Sequence, residues 1–527
     1  MVDLIQQADL DQKCVCRLDE CVPVMINLSE YKQKFDTSKA SVIIKIVKIK
    51  MLTFVFFLTC AIRIFLFISP SINLTECPEL VTPLSSMHRV REGISLARSG
   101  SSPYEGNLFH QPPLVIAFLF PFFDDKGSTP RYDGMPLQIL FFIADVLVAY
   151  MLRSIMSRKL VRDGYGNGNT KRTLLEPTTN QYYVPNFLRD ATLLPDICAA
   201  AYMLHPFALG SSSAWDISSL VRVFTVGSIY FASTSKPFLS CFCLAFSSYV
   251  EIHPIIYVVA TAALEMAEIQ NNPRESNGKN NSKNNSKNNS KNNDKNNDKT
   301  VNISKKKELK QYVFVLLRQF ITIVLIVLML HVFTWYFWNA AFKAPFDVQH
   351  VFQSTYVWHL TAQDYTPNVG IYWYFFSMLF DRFKPYFTFA FNVQLFVYVL
   401  PLVIRIRGRP LVLATVLTSL VALLRPYPTL GDFAVPSVFM LMHPHLIARM
   451  RNKSTLIVIT MIGVVLMPTM WYLWLYPGAV CANHYFFSQL TYTLSLLLTV
   501  SEFLGAAVLR DRQITETIEN VEKQKVV

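Results

Sequence analysis

Residues 81–123 read VTPLSSMHRVREGISLARSGSSPYEGNLFHQPPLVIAFLFPFF, a polar stretch that passes into an apolar one. Apolar side chains at Val90, Ile94 and Ala97 follow three- and four-residue steps, which predicts a helix over about 85–99 that stops at Gly100. The apolar segment 114–123 is too short to cross about 30 Å of hydrocarbon as a helix. The stretch therefore predicts a helix and turn that line a membrane cavity, followed by a re-entrant or interfacial segment.

The composition of the 527 residues places this stretch in a membrane protein. Hydrophobic residues make up 52% of the chain and charged residues only 16%, against about 25% charged in soluble domains. Apolar runs recur to the end, which predicts an all-α polytopic membrane helical bundle of about 12 transmembrane helices. Most of the formal net charge of +13 falls between these runs, so it indicates cytosolic loops and not nucleic-acid binding.

Twelve spans with both chain ends in the cytosol agree with every basic cluster in the sequence. Their predicted bounds are 52–69, 137–156, 190–209, 215–233, 237–250, 252–268, 312–340, 385–404, 411–424, 433–448, 455–475 and 485–509. The same rule places the loop after the first span in the lumen. Asn73, in Asn-Leu-Thr, is a candidate glycosylation acceptor there.

The chain divides into four ranges by composition. Residues 1–50 are predicted to be a cytosolic extension or part of an over-long gene model, and residues 51–512 form the polytopic membrane domain. Residues 270–310 contain NNSKNNSKNNSKNNDKNNDK, which is too polar to bury a core. This insert is predicted to be disordered and to lie in the cytosol. Residues 513–527 are predicted to be a cytosolic C-terminal tail.

Several motifs make the chain similar to the PIG-U family of GPI transamidase subunits. They are TPLSS at 82–86, REGISL at 91–96, G-x-SPY-x-G at 100–106, F-H-x-x-P-L at 109–114, P-N-x-G-x-x-W-Y-F-F at 367–376 and Y-P-T-x-G-D at 427–432. The resemblance covers about residues 51–512 without the insert. It implies a fold like the GT-C glycosyltransferases, since PIG-U resembles the multi-spanning GPI mannosyltransferases. It also implies a multi-pass endoplasmic reticulum membrane protein with partner subunits, one of them a caspase-like cysteine protease.

The mannosyltransferases carry aspartates where this chain has TPLSS at 82–86. A hydroxyl cannot replace a carboxylate as base or metal partner in glycosyl transfer. The chain also lacks Walker A, HExxH, G-x-S-x-G and dinucleotide-binding patterns. We therefore predict a non-catalytic subunit that presents the GPI lipid, without catalytic residue, cofactor or metal. The alternative is an active GPI mannosyltransferase that uses dolichol-phosphate-mannose, with Glu76 or Glu79 as its acidic residue.

Candidate contacts to the GPI glycolipid, with membrane lipids around it, fall in three stretches. The first loop offers cationic groups to phosphates, the aromatic run 372–383 offers a groove for acyl chains, and two polar residues offer bonds to ethanolamine or sugar. The predicted set is Arg89, Arg91, His110, Trp373, Phe375, Phe376, Phe380, Asp432 and Asn483.

Each candidate also has an ordinary structural explanation. The first loop can simply cover the bundle, the aromatic rings can face lipid, and Asp432 can pair with Arg425 across the proline-broken segment 425–432. Two more charges, Asp145 and Glu251, lie in or between apolar runs. For these we expect interhelical or inter-subunit bonds and not catalysis.

Overall fold

The computed structural model describes residues 51–69, 74–124, 130, 134–163, 188, 192–271, 294–342, 346–361 and 363–526. Within these ranges the chain forms helices and loops, with one isolated bridge between Phe123 and Pro130 in place of any strand. The all-α prediction is therefore confirmed. The predicted extension 1–50 and the candidate acceptor Asn73 lie outside the described residues.

The helices are labelled in chain order. They are α1 (Met51–Ile68), α2 (Met87–Ser99), α3 (Pro113–Leu119), α4 (Met135–Arg162), α5 (Leu194–Met203), α6 (Pro206–Ser213), α7 (Ser218–Ser233), α8 (Pro237–Val250), α9 (Val258–Asn271), α10 (Asp294–Ala341), α11 (Val348–Phe352), α12 (Trp358–Thr361), α13 (Tyr372–Met378), α14 (Lys384–Ile406), α15 (Pro410–Leu424), α16 (Ala434–Leu441), α17 (Pro444–Arg449), α18 (Lys453–Leu475) and α19 (Ala482–Val526).

Six helical segments in the described residues are long and apolar enough to cross a membrane. They are Met51–Ile68, Met135–Arg162, Lys306–Ala341, Asp381–Ile406, Lys453–Leu475 and Ala482–Glu516. Shorter apolar helices lie between them, among them Pro237–Val250 and Pro410–Leu424. The chain is thus a multi-helix membrane protein, and the total of about twelve spans stays a prediction.

Two predicted spans are interrupted by proline. The span 190–209 divides into α5 and α6, and the span 433–448 divides into α16 and α17. Pro206 and Pro444 each occupy the first turn of the following helix. A proline has no N–H to donate and its ring excludes the preceding helical turn, so a new helix begins there.

The structure describes the predicted insert 270–310 only at its two ends. Helix α10 begins at Asp294, so residues 294–310 are helical, while residues 272–293 lie outside the described part of the chain. The helix continues from this polar stretch into the apolar segment after 311. Extending a helix is less costly than nucleating one.

The loop helix α2 follows the prediction for residues 85–99. Its buried stripe consists of Met87, Val90, Gly93, Ile94 and Ala97. Gly100 closes the helix with φ +86°, and the N–H of Ser101 donates to the carbonyl of Leu96 at 3.0 Å. Glycine suits this left-handed position because it has no Cβ. Helix α3, which follows, is only seven residues long and fits the predicted re-entrant segment.

The centre of the bundle is α15, whose residues 411–423 are all buried. Charged side chains inside the bundle are paired between helices: Arg63 of α1 contacts Asp145 of α4, and Asp145 also accepts from the hydroxyl of Tyr202 at 3.1 Å. The interhelical bond expected for Asp145 is therefore confirmed. Such pairing avoids the large cost of an isolated charge in a low-dielectric interior.

Candidate functional site

The segment 425–432 forms a rigid turn that directs polar side chains into the bundle. Pro426 and Pro428 prevent α15 from continuing beyond Leu424. A capping box then starts the next helical turn, with Asp432 Oδ2 accepting from the Thr429 backbone N–H at 2.7 Å and from its hydroxyl at 3.1 Å. The orientation of the Asp432 carboxylate is thereby determined within four residues of sequence.

Arg425 joins this turn to two other elements by buried ion pairs. Its Nη2 lies 2.7 Å from Asp432 Oδ2, and its Nη1 lies 2.9 Å from Glu251 Oε2, at the end of α8. Ser218 of α7 donates to the other oxygen of Glu251 at 3.2 Å. The predicted Arg425–Asp432 pair is confirmed, and Glu251 has an interhelical partner as expected. Each charge is compensated, as burial requires.

A cavity of about 50 Å³ opens beside this ionic cluster. Its walls include Ser218, Arg222, Thr225, Glu251, Arg425 and Asp432, which supply its polar surface, and apolar side chains from α15 and α16. We call it the polar cavity. Its volume suits one or two ordered waters or a single small polar group of a ligand.

Arg222 carries unsatisfied donors at the wall of the polar cavity. It is buried, and its Nε and Nη1 have no hydrogen-bond partner, whereas its Nη2 donates to Ser219 Oγ at 2.5 Å. Asp216 Oδ2 also lacks a hydrogen bond and lies 4.0 Å from the guanidinium. An unsatisfied buried cation is costly unless water or a ligand completes its bonds. The cavity is therefore suited to a hydroxyl-bearing group or an ordered water.

An apolar groove of about 210 Å³ lies on the other side of α7. Its walls are almost purely hydrocarbon and include Val115, Phe118, Leu140, Leu147, Leu220 and Phe246, from α3, α4, α7 and α8. Val221 lines both the groove and the polar cavity. One turn of α7 thus separates a polar space from an apolar one, an arrangement that fits an amphiphilic ligand.

An aromatic stack covers the loop end of the bundle, where α2 lies. The His110 ring stacks on Trp358 with centroids 3.7 Å apart, and Trp358 stacks on Tyr427 at 5.0 Å. The hydroxyl of Tyr427 donates to the carbonyl of Asp364 at 3.1 Å and accepts from its N–H at 3.2 Å. Three distant segments are therefore held together by rings and backbone bonds.

His110 is a packed side chain in this stack. Its two ring nitrogens lie 2.9 Å from the carbonyl oxygens of Ser354 and Asn107. Burial lowers the pKa of His110 below its usual range, although these two carbonyls oppose the change. The ring is therefore enclosed by Trp358 and two carbonyl groups.

The remaining predicted contacts separate into two groups. Phe375 and Phe376 pack with the stack in one hydrophobic cluster, and Arg89 pairs with Asp364 beside it. Trp373 donates to Gln489 at 3.0 Å on α19, and Asn483 accepts from Tyr374 at 2.8 Å.

Two further residues predicted to contact the glycolipid, Arg91 and Phe380, belong to neither of these two groups. Arg91 is half-buried on α2, and Phe380 is largely exposed. The predicted residues thus surround the loop end, and only Asp432 reaches the polar cavity.

Glu79, the acidic residue of the mannosyltransferase alternative, is also packed. It is buried, its carboxylate accepts from the Tyr485 hydroxyl at 3.2 Å, and burial raises its pKa above the usual range. Its backbone carbonyl accepts from Leu430 N at 2.9 Å. Glu79 is absent from the walls of the polar cavity and the apolar groove. Its position therefore fits an anchor for the first loop.

Sequence inspection missed some polar groups that the fold brings together. Arg222 and Asp216 lie in an apolar run, and their charge inside a span was the only available signal. Cys481 and His484 lie on an exposed turn with Sγ 3.4 Å from Nδ1. In the described residues no group of three or more His, Cys, Asp or Glu side chains has the arrangement of a metal site.

These features define a class: a polytopic helical membrane protein with an internal ionic cluster and an adjoining apolar groove. Comparison with known sequences gives the particular family. The chain belongs to the family described as GPI transamidase subunit PIG-U, whose model matches residues 57–492.

Individual relatives agree with this assignment. The human GPI-anchor transamidase component PIGU is 26% identical over 447 residues, covering 84% of this chain and 90% of the relative. The Schizosaccharomyces pombe GPI transamidase component GAB1 homolog is 24% identical over 435 residues, 82% of this chain and 87% of the relative. A Dictyostelium discoideum GPI mannosyltransferase 1 matches over only 161 residues, 31% of this chain, at 25% identity. The predicted family is confirmed, and the findings support a GPI transamidase subunit.

Proposed function

We propose that this subunit binds the GPI glycolipid within the GPI transamidase complex of the endoplasmic reticulum membrane, without catalysing the transfer itself. A caspase-like cysteine protease subunit supplies the reactive groups. The membrane bundle, with a fold like the GT-C glycosyltransferases, holds the lipid for attachment to the C-terminus of the precursor protein. The proposal rests on family membership and on the geometry around α7.

The observation that carries the proposal is the adjacency of the polar cavity and the apolar groove. The groove offers hydrocarbon walls to an acyl chain, and the Nε and Nη1 donors of Arg222, which lack hydrogen bonds, suit a hydroxyl of the glycan. A GPI lipid has both parts, and Val221 lines both spaces.

The polar groups of this chain support a role without catalysis. TPLSS at 82–86 has no carboxylate, and the carboxylates of Glu251 and Asp432 are each bound to Arg425. Both carboxylates are therefore already engaged by Arg425 and are not free to accept a proton from a bound substrate. The Cys481–His484 contact is exposed and distant in sequence from this cluster.

The proposal is tested with two variants of the tagged protein, purified in its complex with mild detergent. Leu220→Trp fills the apolar groove, and Arg222→Gln removes the unsatisfied cation. An acyl chain that enters the filled groove would be overpacked, at a cost of about 1–3 kcal/mol. We therefore expect the amount of co-purified GPI, read by mass spectrometry, to fall about fivefold or more. Attachment of anchors to a reporter protein falls in parallel, while the other subunits still co-purify.

Leu325→Trp is the matched control, because Leu325 is 57% exposed on the lipid-facing side of α10. It should leave the bound GPI unchanged. If Leu220→Trp retains as much GPI as Leu325→Trp in an intact complex, the groove is not the lipid site. Mannosyl transfer from dolichol-phosphate-mannose by the purified protein, abolished by Glu79→Gln, would favour the enzyme alternative.

A further inference from the structure

A second polar cavity lies among the basic residues that follow the long helices. It has a volume of about 540 Å³, within the range of small-molecule sites. The C-terminal ends of α4 and α9, the N-terminus of α15, the break between α16 and α17, and α19 all contribute walls. Its basic and imidazole side chains are Lys159, Arg162, Arg409, His443, His445 and Arg510. We call it the basic cavity.

Lys159 is a buried cation of this cavity that forms no ion pair with the described residues. Its side chain is buried, and Nζ donates to the carbonyl oxygen of Met442, but no carboxylate of the described residues forms an ion pair with it. Arg162 by contrast pairs with Glu268 at 3.4 Å, and Arg409 pairs with Asp511. An ammonium group that keeps donors available inside a cavity favours an anion.

Three other features of the walls favour the same ligand chemistry. Helix α15 begins at the cavity, and its first-turn residues Leu411 and Val412 line it. Arg409 at the N-cap makes no side-chain cap, so the positive end of the helix dipole faces the space. The Nη1 of Arg409 also lacks a hydrogen bond. Asp163 is the acidic residue among the lining side chains, which leaves the walls predominantly basic.

The basic cavity is separate from the proposed GPI site. Leu147 of α4 is the groove residue nearest to this cavity along that helix, and Lys159 lies twelve residues further on. At 1.5 Å per residue these positions are about 18 Å apart. The two sites are therefore separated by about three turns of α4.

We propose that the basic cavity binds a phosphate group, carried either by an anionic lipid headgroup or by a soluble phosphate compound on the cytosolic face. Lys159 provides the central ammonium contact, with His445, Arg409 and the N-terminus of α15 around it. This site is independent of the GPI lipid, so the proposed function can fail without affecting it. A bound phosphate would also hold together the five segments that form the walls.

The test is a thermal-unfolding titration of the full-length protein in neutral detergent. The probes are inorganic phosphate, short-chain phosphatidic acid and the phosphatidylcholine of the same chain length, at matched ionic strength. A ligand that binds only the folded state raises the Tm. We expect phosphatidic acid to raise the Tm more than phosphatidylcholine. A response to phosphate as well indicates a soluble ligand, and a response to phosphatidic acid alone indicates a headgroup.

Lys159→Gln should weaken binding of the active probe at least about tenfold, since one charge-assisted bond is lost. Arg158→Gln is the matched control, because Arg158 is exposed on the same turn and should keep wild-type affinity. If Lys159→Gln does not fold, His445→Gln replaces it, with an expected loss of about threefold or more. No Tm response to either phosphate probe, or equal affinities in the tested variant and Arg158→Gln, overturns the proposal.

Discussion

The Nη2 atom of Arg89 lies 2.7 Å from Oδ2 of Asp364, a residue 275 positions further along the chain. This ion pair connects α2, in the first loop, to the segment before α13. Asp364 is in turn bonded through its backbone to the hydroxyl of Tyr427. The loop end of the bundle is therefore covered by three segments that are far apart in the sequence and bonded to one another.

We expect the Arg89–Asp364 pair to make a small, measurable contribution to stability. Both side chains are about one fifth exposed, so a double-mutant cycle with Arg89→Gln and Asp364→Asn should give a coupling of about 0.5–1 kcal/mol. The measurement is thermal unfolding in detergent, with Arg91→Gln as control. A coupling of zero would mean that the two side chains do not interact in solution.

The same pair predicts a dependence on acid. Burial alone would raise the pKa of Asp364, but bonds from Thr366 and the ion pair with Arg89 outweigh it, and the pKa is lowered. The carboxylate therefore stabilises the fold above its unfolded pKa of about 3.9, and this contribution is lost as the pH falls through the lower folded value. Asp364→Asn should remove that part of the acid dependence in thermal unfolding below about pH 4.

Replacing Arg425 should be far more damaging than replacing an exposed arginine. Arg425→Met removes the ion-pair partner of two buried carboxylates, Glu251 and Asp432, which costs about 3–5 kcal/mol. We expect a lower Tm and poor recovery of folded protein. Adding Glu251→Gln and Asp432→Asn should restore part of the Tm, whereas the exposed control Arg405→Met should lose almost nothing.

Gly431 allows the turn to approach α6 closely. A Cβ at this position would lie 1.9 Å from Ser211 Oγ and 2.7 Å from Arg222 Nη1. Gly431→Ala should therefore displace the polar cavity wall and lower the Tm, with an overpacking cost of about 1–3 kcal/mol. Ser211→Gly in the same chain should recover part of the loss. Gly505→Ala on α19, where a Cβ meets nothing within 4 Å, should be neutral or slightly stabilising.

His359 should make the protein less stable in mild acid. Its buried ring nitrogens have no hydrogen bonds, and burial, followed by nearby His253 and His110, lowers the pKa to about 3. In the unfolded chain the pKa of this histidine is about 6.5, so below that pH the unfolded state binds more protons than the folded state. The free energy of unfolding therefore decreases as the pH falls below about 6.5. At pH 5.5 the loss amounts to about 1.4 kcal/mol. His359→Phe should reduce the drop in Tm between pH 7.5 and 5.5, and an unchanged drop would contradict this.

Cys481 should report the orientation of the loop end. Its side chain is exposed, while Cys198, Cys241 and Cys243 are buried. A membrane-impermeant maleimide should therefore label Cys481 from the lumenal side of sealed microsomes only after the membrane is opened. Cys481→Ser should remove that label. Labelling of intact, cytosol-out microsomes at Cys481 would reverse the proposed orientation.

The sequence by itself determined the features that depend on near neighbours. The spacing of Val90, Ile94 and Ala97 and the position of Gly100 predicted α2, because helix formation and termination depend on local patterns. Asp432 and Arg425 were paired correctly since the prolines between them leave little freedom. The membrane class followed from apolar runs that are too long and too hydrophobic to be exposed to water. The motifs identified the family.

Tertiary structure alone decided the composition of the sites. Glu251 reaches Arg425 across 174 positions, and Arg222 becomes a cavity wall only because α7 and α15 border the same space. The stacking of His110 on Trp358, 248 positions further along the chain, is likewise set by packing. Such outcomes depend on which helices touch and at what rotation, and this is set by the packing of the whole bundle. No local pattern encodes it, because the contacting residues are hundreds of positions apart.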